Sequence, residues 1–217
     1  MCLQSVTRQK RKHALALESD LRQLGPDHPN VAVLRSNLAN ILHDLGDLQE
    51  ARKQIELALA SDLRQFGPDH PTVAVDRSSL ASIFRDLGEH QEARKQIELA
   101  LELDLGRFDQ DHPNVAVLRS NLANIFGALG ERQEARKQIG LALESDLRQF
   151  GPNHPNVAVR RSNLATILFH LGEHQEALLE IDRALAIFRR RLPPGHPNIR
   201  NAEAWRATIV GRAKGDG

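Results

Sequence analysis

The nearest approach to catalytic chemistry in this sequence is the string His170-Leu-Gly-Glu-His174. Its H-x-x-E-H order matches one metalloprotease group, in which two imidazoles hold zinc and a carboxylate works beside them. That chemistry needs all three side chains on one continuous helix. Leu171-Gly172 has the character of an inter-helix turn, and the equivalent stretch Arg85-Asp-Leu-Gly-Glu-His90 shows the string to be drift within a repeated template. Five more histidines precede prolines, at His28, His70, His112, His154 and His196. They stand 42 residues apart, one per loop, too dispersed to converge on a metal, and are read as structural parts of the turns. Cys2, the single cysteine, offers neither an internal disulfide nor a thiolate cage, and reads as an inert surface thiol. No phosphate loop of the GxxxxGK[ST] form occurs, and no nucleophile, base and orienting group recur at useful spacing. The expectation is a non-enzyme with no cofactor and no metal.

A ladder of charge recurs more regularly. Arg35, Arg77, Arg119 and Arg161 each follow an aspartate by 15 residues: Asp20, Asp62, Asp104 and Asp146. In the last unit both change together, to Phe188 and Glu203. Arg35 falls about 60° from Leu38 around a helix, inside what should be an apolar sector. Either each guanidinium forks onto its aspartate, which satisfies several donors at once, or it snorkels past the leucines to solvent. Joint recurrence and joint loss favour pairing.

These residues are positioned by a 42-residue repeat, marked by the His-Pro pairs and by Leu-Gly from Leu45-Gly46 to Leu171-Gly172. A fixed period of this size means stacked supersecondary units, each burying its apolar face against its neighbours. Each unit reads as two helices. In Asn30 to Leu45 the residues Val31, Leu34, Leu38, Ile41, Leu42 and Leu45 share one side, and Gly46 ends the helix. A second helix runs from about Gln49 to Phe66 on Ala51, Ile55, Ala58, Leu59 and Leu63, closed by Gly67-Pro68. Asp27, Asp69, Asp111 and Asn153 precede the next helices and are expected to cap them, with proline in the first turn. The fold class expected is all-α, a right-handed superhelical α-solenoid of antiparallel helix pairs. Residues 1–27 form a half repeat holding a second helix only, 28–195 four full repeats, 196–210 a half repeat acting as C-terminal cap, and 211–217 a tail. Ten helices result. Trp205-Arg206 in place of Asn163-Leu164 suits the cap, and the N-terminal half repeat is read as cut from a longer array. Its leucines Leu15, Leu17 and Leu21 form an apolar edge open to end-on self-association.

Composition narrows the partners. The 217 residues carry a formal net charge of +1 with 26% charged residues, no tyrosine and one tryptophan, lacking the basic stripe with aromatics that marks nucleic-acid binding. The run Arg8, Lys10, Arg11, Lys12 reads as a solvated helix face. Apolar runs are far short of a bilayer span and the N-terminus lacks a signal peptide's apolar stretch, so the expected setting is cytoplasmic, with no membrane partner.

Leu38, Ala39, Leu42, Gly46, Ala51, Ile55 and Ala58 have the spacing of the tetratricopeptide repeat signature, repeated at Leu80, Ala81, Phe84, Gly88, Ala93, Ile97 and Ala100. With the 42-residue length and the segment GPDHPxVA…NLA, the chain resembles the subfamily of kinesin light chains and many bacterial arrays, from about Leu15 to Asn198. The resemblance implies a scaffold that binds a peptide or protein segment in a concave groove, or alternatively the recognition arm of a larger switch ATPase or protease. On the first helix, opposite the leucines, lie Val33, Ser36, Asn37, Asn40, His43 and Asp44. Their equivalents are Ser79 and Ser82, Asn121 and Asn124, and Asn163 and Thr166. Asparagine carries a donor and an acceptor, so such a row can bracket the amides of an extended peptide. In related arrays the asparagines at the position of Asn37, Asn121 and Asn163 serve that purpose. Selectivity is expected from the varying neighbours His43, Arg85, Gly127 and Phe169.

Overall fold

A computed structural model describes the backbone of residues 3–213 and the side chains of residues 8–212. Cys2 and residues 214–217 of the tail lie outside the described residues. Within these limits the chain is ten α-helices and no strand. By compactness it divides at Gly106. The first unit holds α1 (Leu3–Leu24), α2 (Pro29–Asp44), α3 (Leu48–Phe66), α4 (Pro71–Asp86) and α5 (His90–Leu105). The second holds α6 (Pro113–Ala128), α7 (Arg132–Phe150), α8 (Pro155–His170), α9 (His174–Arg191) and α10 (Pro197–Ala213).

In the first unit α2 packs on α3 and α4 on α5, and the first helices α2 and α4 also touch. The second unit repeats the plan with α6 on α7 and α8 on α9, α10 closing against α9. Small residues let each pair approach: Ala39, Ala51 and Ala58 are fully buried with Ile55 and Leu42 between them. Truncating Ile55 to alanine in such a seam costs roughly 2–5 kcal/mol.

Helix ends follow from local chemistry. At the end of α2 the Gly46 amide donates to His43 O at 2.9 Å and the Asp47 amide to Leu42 O at 2.9 Å. Gly46 takes a φ of 79°, the left-handed geometry this C-terminal motif requires. At the N-termini the structure corrects the expected caps. The capping residues are the histidines: Nδ1 of His28, His112, His154 and His196 accepts the backbone N–H two residues on at 3.2 Å, and that of His70 at 3.4 Å. Proline explains the choice. Having no N–H itself, it leaves the next residue as the first free donor, and it forces the residue before it into the extended conformation a cap needs. An imidazole accepting at Nδ1 is neutral, with its proton on Nε2. Three of these rings stack on a phenylalanine four residues before them, Phe66 on His70, Phe108 on His112 and Phe150 on His154, at 3.8–4.5 Å. Asp27 and Asp111, freed from capping, instead take the guanidinium groups of Arg64 and Arg148.

The charge ladder is also corrected. Arg35 donates to Gln54 at 3.3 Å, Arg77 to Gln96 at 2.8 Å, Arg119 to Gln138 at 3.3 Å and Arg161 to Glu180 at 2.5 Å. Each partner lies on the second helix of the same repeat, not on the aspartate series. Asp146 meets Arg160 instead, Nε to Oδ2 at 3.0 Å, one residue before the expected position. Half-burial holds the guanidinium groups of Arg35, Arg77 and Arg119 below their ordinary range. The expected α1 edge shrinks too: Leu15 is 58% exposed, but Leu17 is buried and Leu21 half-buried.

Candidate functional site

Each first helix buries one side against its own second helix and turns the other outward. On α2 the outward row is Val33, Asn37 and Asn40, all exposed, at the four- and three-residue steps of one helical face. On α4 the row is Val75, Ser79 and Ser82, and in the first unit these two helices lie side by side. His43 and Arg85, expected to meet a partner, converge on Asp86: His43 Nε2 and Arg85 Nε each approach its carboxylate at 2.8 Å. Burial works against that charge, yet the bonds from Arg85 and His43 hold Asp86 below the ordinary carboxylate range. Ser82 turns its hydroxyl back to Ser78 O at 3.2 Å, and Ser36 donates to Asp76 Oδ1 at 2.8 Å. This face is therefore largely satisfied internally, with Asn37 and Asn40 its exposed amides.

In the second unit α6 and α8 present Val117, Asn121 and Asn124 beside Val159, Asn163 and Thr166. A cavity of about 220 Å³ opens between them and α7, lined by Ala123, Asn124, Gly127, Arg132, Ala135, Asn163, Thr166, Ile167 and His170. Four expected residues thus meet in one pocket: Asn124, Asn163 and Thr166 of the polar row, and Gly127 of the varying neighbours. Asn121 stands half-buried beside it, outside the lining. Asn163 Nδ2 donates to Ser120 Oγ at 3.3 Å, tying α8 to α6, while Thr166 donates to Ser162 O at 3.2 Å. Ala123, Gly127, Ala135 and Ile167 make an apolar floor, and the polar lining holds no carboxylate.

Gly127 opens the pocket. A Cβ there would meet nothing within 4 Å, so no close approach requires glycine, although glycine inside a helix costs roughly 1 kcal/mol against alanine. The corresponding positions hold His43, Arg85 and Phe169. Phe169 packs edge-on to Trp205 of α10 at 5.9 Å and tilts against His174 at 5.2 Å, so the cap tryptophan occupies the end of this face. Sequence reasoning missed Arg132, Ile167 and His170 as lining. Arg132 alone carried a signal, a cation at the first position of α7 where the helix dipole disfavours it.

The H-x-x-E-H string falls across two elements, since α8 ends at His170 and α9 begins at His174. Among the described residues no group of three or more histidine, cysteine or acidic side chains could hold a metal ion, and no helix is long and apolar enough to cross a membrane.

Paired helices closed by alanines, with an outward row on each first helix, define a helical-repeat binding protein. The tetratricopeptide repeat model matches residues 11–63, 31–106, 72–144 and 114–190, and the chain belongs to that family. No curated protein sequence matches the chain. Among solved structures, BtubC (BKLC) from P. vanneervenii is 24% identical, covering 96% of this chain and 84% of that one at a TM-score of 0.76. A putative kinesin light chain from Podosopora anserina, with nearly identical TPR-like repeats, is 23% identical, covering 87% of this chain and 89% of that one at a TM-score of 0.73. The fold is thus the all-α tetratricopeptide solenoid of kinesin-light-chain-like arrays. Arrays of this family serve in general as protein–protein interaction scaffolds and are typically non-catalytic.

Proposed function

We propose that the second unit holds an extended protein segment along the outward face of α6 and α8, with one side chain of that segment seated in the pocket at Gly127. The observation that carries this reading is the pocket itself, where Asn124, Asn163 and Thr166 stand over an apolar floor that no neighbouring side chain fills. A volume of about 220 Å³ suits one large side chain, since a cavity of roughly 150 Å³ accepts benzene. The amides of Asn124 and Asn163 offer donors and acceptors to the segment's backbone. The same face serves a free-standing scaffold or the recognition arm of a longer chain.

A photo-crosslinking amino acid at position 127, with the exposed Lys53 of α3 as control, tests the assignment. Segments captured from position 127 but not from position 53 are then synthesised. Their affinity for the Asn124→Ala/Asn163→Ala double variant should fall by roughly 1–3 kcal/mol, at about 0.5–1.5 per hydrogen bond lost. Unchanged affinity, or capture chiefly from position 53, refutes the site.

A further inference from the structure

The first unit contains a buried acidic contact that the binding face does not use. Asp76 on α4 stands where α2 and α6 carry Leu34 and Leu118, and it is 2% exposed. Its Oδ1 accepts from Ser36 of α2, and its Oδ2 has no hydrogen-bond partner. Asp62 of α3, itself buried, lies within electrostatic reach. No cation answers the pair. Arg35 of α2 turns to Gln54, and Arg77, next to Asp76 on α4, turns to Gln96 of α5. The second unit shows what a balanced version of this contact looks like: Asp146 of α7, equivalent to Asp62, is bonded to Arg160 of α8, equivalent to Asp76.

We infer that Asp62 and Asp76 form a proton-operated catch at the junction of α2, α3 and α4, closed while Asp76 carries a proton and loosened when the proton leaves. The protonated carboxyl is neutral and suits its buried place. The carboxylate leaves an unpaired charge in the junction facing a second acid.

Burial, opposed by the Ser36 hydrogen bond and helped by Asp62, raises Asp76 from 3.8 to about 7. The sign follows directly. The stabilisation is fully present below 3.8 and is lost as the pH rises through about 7. Between pH 5 and pH 8 the folding constant of the parent should therefore fall about a hundredfold relative to Asp76→Leu, which restores the residue found in α2 and α6. Asp76→Asn, which mimics the protonated group, serves the same comparison should the leucine variant not fold. Carboxyl ¹³C titration of the full chain should place the Asp76 midpoint near neutrality, and Asp62→Asn should lower it. A midpoint below pH 5, an insensitivity to Asp62→Asn, or a pH-independent ratio of folding constants overturns the catch. So does a midpoint that drops on adding Mg²⁺ or Ca²⁺, which would make the pair a cation site.

Discussion

Arg160→Leu should be among the most damaging single changes in the second unit, although leucine is the residue found at the same position of α2 and α6. Asp146 is 1% exposed, and Arg160 is the cation that answers it, at 3.0 Å. Removing one partner of a buried pair leaves an uncompensated charge, at about 3–5 kcal/mol. For a chain of this length that corresponds to a Tm drop of roughly 6–20 °C. Burial raises the Asp146 carboxyl and the Arg160 guanidinium opposes the rise. Without Arg160 the carboxyl climbs further, so the deficit should be largest near neutral pH and shrink on acidification as Asp146 takes a proton. Urea unfolding of the parent, both single variants and Arg160→Leu/Asp146→Leu gives the coupling. The double variant should return to within about 1 kcal/mol of the parent, because an apolar pair can replace a buried ion pair. Arg119→Leu is the control, since its partner Gln138 is neutral, and it should cost under about 1 kcal/mol. An Arg160→Leu variant as stable as the parent at pH 7, or no coupling between the two sites, would refute the reasoning.

Two further outcomes are expected. His112→Ala should lose about 1–2 kcal/mol from the cap and from the stack on Phe108, whereas His112→Asn, which can still accept the Asn114 amide, should retain the cap's share; thermal unfolding of both variants decides it. Gly127→Ala should stabilise by up to about 1 kcal/mol in urea while leaving the pocket open, whereas Gly127→Phe should fill it and abolish capture of the segment; a destabilised alanine variant would show that the glycine is held by packing.

The repeat period and the apolar spacing carried the fold, because alanine and leucine positions such as Ala39, Leu42 and Ala51 are fixed by helix geometry alone. Pairing between helices was less legible. Spacing assigned the aspartates to Arg161 and its equivalents, but Asp146 reaches Arg160, and one step along a helix is about 100° of rotation that no single-helix projection supplies. The caps failed for a different reason. Residue preferences point to Asp27 or Asn153, while the His-Pro pair itself sets where the first free amide falls. At the candidate site the row of Asn124, Asn163 and Thr166 was readable from a helical wheel. The cavity was not, since it arises from the absence of a side chain at Gly127, and an absence takes its meaning only from the helices around it.

Helices α2 and α6 begin with the same 13 residues, from Pro29 to Ile41 and from Pro113 to Ile125. Yet the shared serine meets different company: Ser36 donates to Asp76, and Ser120 accepts from Asn163. An identical word thus acquires its sense from the next one. In such a lineage a duplicated repeat arrives with its neighbours' chemistry already altered, so new behaviour can appear at a seam while both copies remain unchanged. Diversification by copying then needs fewer substitutions than residue-by-residue divergence implies, because the unit that selection sees is the junction.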